Sequence, residues 1–416
     1  MSLLFYNIFL WLYKMGIYAA SLWNKKAAKW IAGRKNIFQK IENNINTDRP
    51  VIWFHCASLG EFEQGRPLME KLRKEYSQHS IVLSFFSPSG YEVRKNYAGA
   101  DYVFYLPYDS KKNAARLLNL LKPALVVFVK YDLWYYYLYE TGKRNIPLLL
   151  VSSVFRRQQS FFKWHGAIQR RMIRFFTHIF VQNEESKLLL KKAGIEKCSV
   201  GSDTRFDRVA EIAEQFRPIA EIEKFLNGKK AIVAGSTWKE DELQLHKISS
   251  SVFATGCKLI IAPHEIDESN LSYIQSLFPN AVLFSCLQKE AAHANCLVID
   301  NIGMLAQLYK YAWVSYVGGG YTKDGVHNVL EPAVYGKPVV FGPNYSKYRE
   351  AIDLVKSKAA FSFSDAQQLQ EILNSLLNNQ QLYATAATAA GDYVKKNKGA
   401  TEKIIAWIQA KRLLTN

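Results

Sequence analysis

The sequence predicts an α/β protein of two Rossmann-like doubly wound domains that face each other across a cleft, with a membrane-associated helix at the N-terminus. Apolar runs of strand length alternate with helical stretches in two series, which is typical of βαβ units and parallel sheets. A polar stretch without strand character, residues 208–228, separates the two series. Both series open alike, with CAS-L-G-E at 56–61 and AGST-W-K-E at 234–240. Each reads as a buried strand that passes through small residues into an acidic helix start.

The N-terminal segment is apolar and then basic. SLLFYNIFLWLY at 2–13 is followed by Lys14, a second apolar run, and a basic cluster of Lys25, Lys26, Lys29, Arg34 and Lys35. A full membrane span needs about 20 apolar residues. The pattern therefore favours a helix lying in the membrane face, or a short anchor held from the cytoplasmic side. A buried helix that packs on the protein body is the alternative. We assign residues 1–35 to this segment.

The first α/β series defines a domain over residues 36–207. Its predicted strands are 51–58, 81–87, 102–106, 124–129, 147–153 and 178–182. Its predicted helices run from Gly60 and Glu61 to about Tyr76, over 111–121 and over 184–192. The alternation predicts a parallel sheet, and ligands are then expected at the carboxyl ends of the strands, in the cleft between domains.

The second series defines a domain over residues 208–398. Its predicted strands are 230–237, 258–264, 281–285, 296–300, 312–318 and 338–342. A final helix is predicted over 399–414, within a C-terminal segment, 399–416, that is a candidate to cross back to the first domain.

The amino-acid composition restricts the possible classes of function. The chain has 416 residues, 49% hydrophobic and 22% charged, which suits two domains with substantial cores. Its net charge of +18 implies an anionic partner, namely nucleic acid, an acidic membrane surface or a phosphorylated substrate. The five cysteines are scattered and lack C-x-x-C spacing, which indicates reduced thiols in a cytoplasmic setting. We expect no metal site and no cofactor.

A glycine turn organises the second domain. Gly318, Gly319 and Gly320 follow a strand, and a helix is predicted to open at Asn328. Glycine lets backbone approach a ligand closely, and a helix start offers unpaired N–H groups, so the unit suits an anionic or polar ligand. Asn328 and Glu331 also resemble a capping box, which needs no ligand. The spacing leaves both interpretations open.

The same segment carries a resemblance to a known family. The string G-x-H-N-x-L-E-P-A, followed by G-K-P-V, F-G-P and Arg349-Glu350, resembles the nucleotide-sugar-binding segment of the 3-deoxy-D-manno-octulosonic acid (Kdo) transferases of lipopolysaccharide synthesis. The resemblance covers essentially the whole chain, best at 58–61 and 325–343. It implies an inverting, metal-independent GT-B glycosyltransferase that moves Kdo from CMP-Kdo to the lipid A precursor, lipid IVA, at the cytoplasmic face of the inner membrane.

Glu61 is the first catalytic candidate. It lies just after a predicted strand, where a carboxylate could take a proton from an attacking hydroxyl. Ser58-x-x-Glu61 is also a capping-box pattern, which is the alternative. The segment resembles the family's S-x-G-E motif, whose glutamate is the general base, and the resemblance implies that role for Glu61.

Two further residues acquire roles from the resemblance. FVKYDLWYYY at 128–137 is similar to the family's E-T-E-L-W-P, with Lys130 at the first glutamate, and implies transition-state support by Asp132. VGSDTRFD at 200–207 is similar to T-G-N-x-K-F-D and implies that Arg205 stabilises the departing phosphate. A solvated acid at a strand end and a surface arginine are the alternatives.

The resemblance also implies a nucleotide site in the second domain. APHEIDE is similar to the family's A-P-R-H-P-E, and DNIGML to D-x-x-G-E-L, with Met304 replacing the acid. The implied nucleotide-binding residues are Pro263, His264, Ile302, Gly303, Met304, Asn328, Val329, Leu330 and Glu331. Ordinary βα turns are the alternative.

The implied partners are CMP-Kdo, the lipid A precursor and an anionic inner-membrane surface. Two other classes remain open. One is a related GT-B enzyme that uses a UDP-sugar, such as a lipid-disaccharide synthase or an epimerase. The other is a nucleic-acid-binding protein, which is disfavoured because the basic residues are dispersed and no recognition module is present. His55, inside an apolar strand, is interpreted as a hydrogen-bonded core residue.

Overall fold

The computed structural model describes residues 3–45, 48–130, 132–287 and 294–414. The chain divides into two compact units, one of residues 1–208 with 398–416 and one of residues 209–397. Each unit is built on a seven-stranded sheet in which every pair of neighbouring strands is parallel. The predicted fold class, two α/β domains with parallel sheets, is confirmed.

The first unit begins with three helices and continues with alternating strands and helices. Its strands are β1 (Val51–Cys56), β2 (Ser80–Phe85), β3 (Tyr102–Tyr105), β4 (Pro123–Val129), β5 (Leu148–Ser153), β6 (His178–Val181) and β7 (Cys198–Val200). Its helices up to residue 214 are α1 (Leu3–Ala20), α2 (Lys25–Arg34), α3 (Ile37–Asn44), α4 (Leu59–Glu75), α5 (Pro88–Arg94), α6 (Lys111–Leu121), α7 (Tyr135–Lys143), α8 (Ala167–Arg174), α9 (Glu184–Lys192) and α10 (Arg205–Glu214).

The strand order of the first sheet is β3-β2-β1-β4-β5-β6-β7. The order reverses between β1 and β4, and in such sheets ligands bind outside the carboxyl ends of the strands at that reversal. Every residue of β1 is buried, as expected when helices cover both faces of a parallel sheet. The residues that follow β1 and β4 are therefore the first place to look for a site.

The second unit repeats this architecture. Its strands are β8 (Ala231–Thr237), β9 (Lys258–Pro263), β10 (Ala281–Leu283), β11 (Cys296–Val298), β12 (Val314–Val317), β13 (Val339–Phe341) and β14 (Ala360–Ser362). Its helices include α11 (Ala220–Leu226), α12 (Lys239–Ala254), α13 (Glu268–Leu277), α14 (Leu305–Leu308), α15 (Leu330–Ala333), α16 (Arg349–Lys356), α17 (Ala366–Asn378) and α18 (Gln380–Asn397). The strand order is β10-β11-β9-β8-β12-β13-β14, with the reversal between β8 and β12.

Two details of the sequence prediction are corrected. Strands β7 and β14 are absent from the predicted set, because each is three residues long and includes a serine, whereas the equally short β10, β11 and β13 are apolar throughout. The final helix, α19 (Ala400–Ala410), ends earlier than the predicted residue 414. It packs Ile404, Ile405 and Ile408 into the core of the first unit.

Helix α1 is long and apolar enough to cross a membrane by length and composition, and it is the one such helix within the described residues. Most of its large apolar side chains are exposed, among them Phe5, Phe9 and Trp11. One contact fixes it to the body, since the Tyr6 hydroxyl donates to Asp109 Oδ2 over 2.7 Å. The alternative of a helix buried in the body is therefore wrong for most of its surface.

Candidate active site

Glu61 lies in the first turn of α4, at the carboxyl end of β1. Its Oε2 accepts a hydrogen bond from the Ala57 backbone N–H over 2.5 Å. The Ser58 side chain makes no cap hydrogen bond, so the capping-box interpretation does not describe this turn. The carboxylate folds back toward the end of the strand and is only 9% exposed.

The surroundings of Glu61 favour its protonated form. Burial raises the pKa of the carboxyl to about 7, and the negative charge of Asp132 acts in the same direction. The Ala57 N–H and the positive charge of Lys130 oppose the shift. A carboxylate that titrates near neutral pH can accept a proton at one step and release it at the next, which is what a general base requires.

Asp132 follows β4, the strand next to β1 across the reversal of the sheet. Its Oδ2 accepts from His55 Nε2 over 2.7 Å and from Trp134 Nε1 over 2.9 Å. A carboxylate can only accept, so the His55 proton on Nε2 points at Asp132. The structure thus brings Glu61 and Asp132 into one electrostatic environment at the carboxyl edge of the sheet.

His55 belongs to a buried hydrogen-bond chain. It lies on β1 opposite Ser84 on β2, and its Nδ1 is 2.9 Å from Ser84 Oγ. Trp53 Nε1 donates to the same oxygen over 2.8 Å. The predicted core histidine is buried and hydrogen-bonded, but its second partner is a candidate catalytic residue. Sequence reasoning missed this link because residues 55 and 132 meet only through the pairing of β1 with β4.

Arg205 starts α10 and is held by an acidic neighbour. Asp203 accepts from Arg205 Nε over 3.0 Å and from its Nη2 over 2.8 Å. The same carboxylate accepts from Gln64 Nε2 over 3.0 Å and from Gln182 Nε2 over 2.7 Å. Since Gln64 lies one turn beyond Glu61 on α4, the helix that carries the candidate base also joins this network. The Arg205 guanidinium is therefore fixed in place, with part of its charge balanced by Asp203.

In the second unit, three aromatic rings stack at the carboxyl ends of the strands. Trp238 follows β8 and His264 follows β9, with ring centroids 4.5 Å apart and planes inclined by 24°. His264 and His327 lie 4.7 Å apart at 23°. Trp238 Nε1 donates to His327 Nε2 over 3.0 Å. Burial, together with the charge of His264, lowers the pKa of His327 to about 4, so this imidazole is neutral at pH 7 with its proton on Nδ1.

The glycine turn serves the fold more than a ligand. A Cβ at Gly318 would lie 2.3 Å from the Ser236 carbonyl oxygen, and one at Gly320 would lie 2.5 Å from Gly342 N. The close approach is therefore between segments of the protein itself. The Gly319 N–H donates to Asp241 Oδ2 over 2.9 Å. The Gly319 amide is therefore paired within the protein.

The helix expected at Asn328 is the single turn α15, which begins at Leu330. Asn328 Oδ1 accepts from Leu330 N over 3.2 Å, and its Nδ2 donates to Glu331 Oε1 over 3.0 Å. The capping interpretation therefore describes the contacts of Asn328, and the anion site at this helix start stays a prediction. Val329 and Leu330 are fully buried, so their side chains belong to the core.

The remaining predicted nucleotide residues end or follow strands of the same sheet. Pro263 ends β9, and Ile302, Gly303 and Met304 form the turn between β11 and α14. The Ile302 side chain is 88% exposed, and Gly303 has φ +103°, which favours glycine. Because β11, β9, β8 and β12 are consecutive neighbours in the sheet, the turns that follow these four strands occupy one edge.

Sequence reasoning missed Trp238 and His327 as members of this group. Trp238 directly follows the buried strand β8, which was the available signal, whereas His327 lies in the loop well after β12, within the G-x-H-N-x-L-E-P-A motif. Within the described residues, no group of three or more histidine, cysteine, aspartate or glutamate side chains is placed to hold a metal ion.

Comparison with known proteins gives consistent results. Residues 32–208 match the family model of the 3-deoxy-D-manno-octulosonic-acid transferases (kdotransferase). The chain is 24% identical over 371 residues to the 3-deoxy-D-manno-octulosonic acid transferase of Haemophilus influenzae, covering 85% of each. It is 27% identical over 363 residues to a bifunctional glycosyltransferase/methyltransferase of Fusobacterium nucleatum, covering 80% of this chain but only 53% of that protein. The chain thus spans about half the length of that relative.

The fold has solved counterparts. The structure of UDP-GlcNAc 2-epimerase from Neisseria meningitidis bound to UDP-GlcNAc superposes with a TM-score of 0.61 and 15% identity, covering 87% of this chain and all of that one. At this identity the likeness concerns the fold alone.

Proposed function

We propose that the chain is a glycosyltransferase of the 3-deoxy-D-manno-octulosonic acid transferase family, as its similarity to these proteins supports, and that it moves Kdo from CMP-Kdo to the lipid A precursor lipid IVA. The observation that carries the mechanism is the buried Glu61 carboxyl, whose pKa is raised to about 7 beside Asp132. The pair lies where the strand order of the first sheet reverses, the place where α/β folds bind ligands.

In the proposed reaction Glu61 is the general base. An acceptor hydroxyl oxygen attacks the anomeric carbon of Kdo while the bond from that carbon to the CMP phosphate oxygen breaks, so the configuration inverts. Glu61 takes the hydroxyl proton, and CMP departs with the electron pair of the broken bond. Because only the ionised form can accept the proton, the rate rises with pH through about 7.

Asp132 and Arg205 have supporting roles in this proposal. Asp132, fixed by His55 and Trp134, faces positive charge that develops on the sugar. Arg205, fixed by Asp203, supplies positive charge for the departing phosphate. Neither step requires a bound metal ion.

We assign the nucleotide to the second unit. The stacked rings of Trp238 and His264 offer a flat surface for the base. Pro263, Ile302, Gly303 and Met304 line the neighbouring turns, and Asn328 and Glu331 hold the turn before α15. The buried Val329 and Leu330 contribute through backbone position. Helix α1 and the basic segment after it would keep the enzyme on the cytoplasmic face of the inner membrane.

The test is transfer of Kdo to lipid IVA in detergent, with EDTA present and CMP-Kdo generated enzymatically. Wild type should form product, and Glu61→Gln should be slower by roughly a hundredfold to ten-thousandfold, the usual contribution of a general base. Glu63→Gln is the matched control, because Glu63 lies on the same helix but pairs with Arg94 near the surface. This control should keep full activity.

Thermal protection by nucleotides tests the proposed donor independently of the proposed base. CMP should stabilise wild type and Glu61→Gln equally, and UDP should stabilise neither. Protection by UDP instead of CMP, with no Kdo transfer, would contradict the proposed donor and indicate a GT-B enzyme that uses a UDP-sugar. Equal rates for Glu61→Gln and wild type would contradict the role of Glu61 as general base.

A further inference from the structure

A cavity of about 650 Å³ opens in the first unit beside the N-terminal helices. Its wall is basic and aromatic. Lys14 and Tyr18 come from α1, Arg34 and Lys35 from the end of α2, and Tyr108 from the segment after β3. Arg116 also contributes, although its guanidinium already pairs with Glu42 at 2.7 Å. The cavity is large enough for a small anionic group.

Arg34 is a partly buried cation that is held by backbone carbonyl groups. Its Nε donates to the Leu106 carbonyl over 2.9 Å, its Nη1 to that of Trp30 over 3.1 Å, and its Nη2 to that of Phe86 over 2.7 Å. Within the described part of the chain no carboxylate lies at ion-pair distance from this guanidinium. Burial lowers its pKa, although the charge of Asp132 opposes the shift, and the net lowering reflects the cost of keeping this charge away from water. An anion in the cavity would offset that cost.

Two hydrogen-bond donors in the wall of the cavity lack acceptors. Trp30 Nε1 and the Tyr108 hydroxyl are buried and find no hydrogen-bond partner among the residues that the structure describes. Trp30 is 6% exposed. Since an unpaired buried donor costs free energy, two of them in one basic cavity indicate a ligand that accepts hydrogen bonds. Lys14 Nζ, 5.7 Å from the centre of the Tyr108 ring, adds a mobile charge beside them.

The position of the cavity indicates where such a ligand comes from. Lys14 and Tyr18 lie on the same helix as the exposed side chains of Phe5, Phe9 and Leu12. An apolar helix face of this kind enters the acyl region of a membrane, and basic and aromatic side chains at its end then lie at the depth of the headgroups.

We propose that this cavity binds the headgroup phosphate of an anionic membrane lipid, with Lys14 and Lys35 as its outer cations and Tyr108 and Trp30 as its inner donors. The assignment rests on the proposed membrane association but not on which sugar the enzyme transfers. One bound lipid would neutralise the Arg34 region and fix the angle between α1 and the body. The site differs from general surface attraction because it depends on two particular lysines rather than on net charge.

The first test compares two double variants that remove equal charge. Lys14→Gln with Lys35→Gln removes two positive charges that line the cavity. Lys25→Gln with Lys26→Gln removes the charges of two exposed lysines of α2 that do not line it. Binding of the full chain to vesicles of phosphatidylcholine with phosphatidylglycerol is measured by flotation. Surface attraction is worth about fivefold in affinity for each lysine, so each pair should lose roughly 25-fold by that effect alone. The cavity pair should lose at least a further tenfold or so, the worth of a hydrogen bond to a charged group.

Equal losses for the two pairs would overturn the cavity and leave only surface attraction. Failure of the wild type to float with these vesicles would overturn both the cavity and the proposed membrane association. Neither result depends on Kdo transfer, so the outcome is separate from the fate of the proposed reaction.

The second test uses Tyr108→Phe, which removes only the unpaired hydroxyl. Stability without ligand should stay equal or rise slightly, because no hydrogen bond is lost. The variant should need a roughly tenfold higher concentration of short-chain phosphatidic acid than wild type for the same thermal protection. Inorganic phosphate at the same concentrations should protect poorly, since it lacks the acyl chains that lie along α1. Equal protection by inorganic phosphate would overturn the lipid as the source of the anion, and unchanged protection in Tyr108→Phe would overturn the site.

Discussion

The two sheet reversals hold different chemistry although their frameworks are alike. In the first unit the residues after β1 and β4 are carboxylates, and burial raises the pKa of Glu61 to about 7. In the second unit the residues after β8, β9 and β12 present stacked rings, and burial lowers the pKa of His327 to about 4. Both edges therefore hold a carboxyl that titrates near neutral pH, because burial also raises the pKa of Glu242, which accepts from Thr237 at the end of β8, to about 7. The second edge adds an imidazole that stays neutral.

The difference shows how a repeated fold divides a reaction. Desolvation disfavours the charged form of every group, so it raises the pKa of an acid and lowers that of an imidazole. At the first site this produces a base that can exchange a proton. At the second it produces a flat, uncharged surface suited to stacking. The same physical cause yields opposite roles because the side chains differ.

The largest effect that would test this contrast is on stability against pH. The pKa of Glu61 is higher in the folded protein than its ordinary value of 4.5, so its contribution to stability is greatest below about pH 4 and falls as pH rises through about 7. Glu61→Gln removes this loss. At pH 8 the variant should be more stable than wild type by up to about 3 kcal/mol, and at pH 4 it should be equal. Denaturant unfolding in detergent measures this.

The opposite sign is expected at the second site. The pKa of His327 is lower in the folded protein, so its contribution is fully present above about pH 6.5 and falls as pH drops toward 4. His327→Gln should therefore gain relative stability at pH 4 and none at pH 8, while its amide oxygen can still accept from Trp238. If both variants gain at the same pH, the contrast between the two edges is wrong.

The next effect is on nucleotide affinity. His264→Ala removes one face of the ring stack, and stacking of a base on an aromatic ring is worth about 1–3 kcal/mol. CMP should then bind roughly 5-fold to 150-fold more weakly in calorimetry, while the pH dependence of the residual rate is unchanged. His246→Ala is the control, because this exposed histidine lies on α12 and contacts Phe278 instead. Unchanged affinity in His264→Ala would move the base elsewhere.

Apolar periodicity was enough to predict the two parallel sheets and several helices, with α6 and α9 matching their predicted bounds. The position of Glu61 followed from a strand end and a motif. Its environment could not be predicted, because burial and the hydrogen bond from Ala57 depend on the folded turn. The link from His55 to Asp132 joins residues far apart in the chain and requires the β1 to β4 pairing. The neighbours of the Gly318–Gly320 turn could not be predicted for a related reason: a sequence shows that glycine permits close approach, but not which segments approach, here Ser236 and Gly342.

The smallest effect concerns the two charges that act on Glu61 after burial. Asp132 raises the pKa of Glu61 and Lys130 lowers it. Asp132→Asn should therefore move the midpoint of the acid limb of the pH–rate profile to lower pH, in addition to the pH-independent loss of rate that its supporting role implies. Lys130→Asn should move the midpoint to higher pH, and each shift should be less than about one pH unit. Asparagine suits position 130 because the residue there has φ +62°, a left-handed conformation that asparagine tolerates well. Shifts in opposite directions would show that neighbouring charges adjust the base. If neither profile moves, these two charges do not set the pKa of Glu61, and the Lys130 side chain has no electrostatic effect on the site.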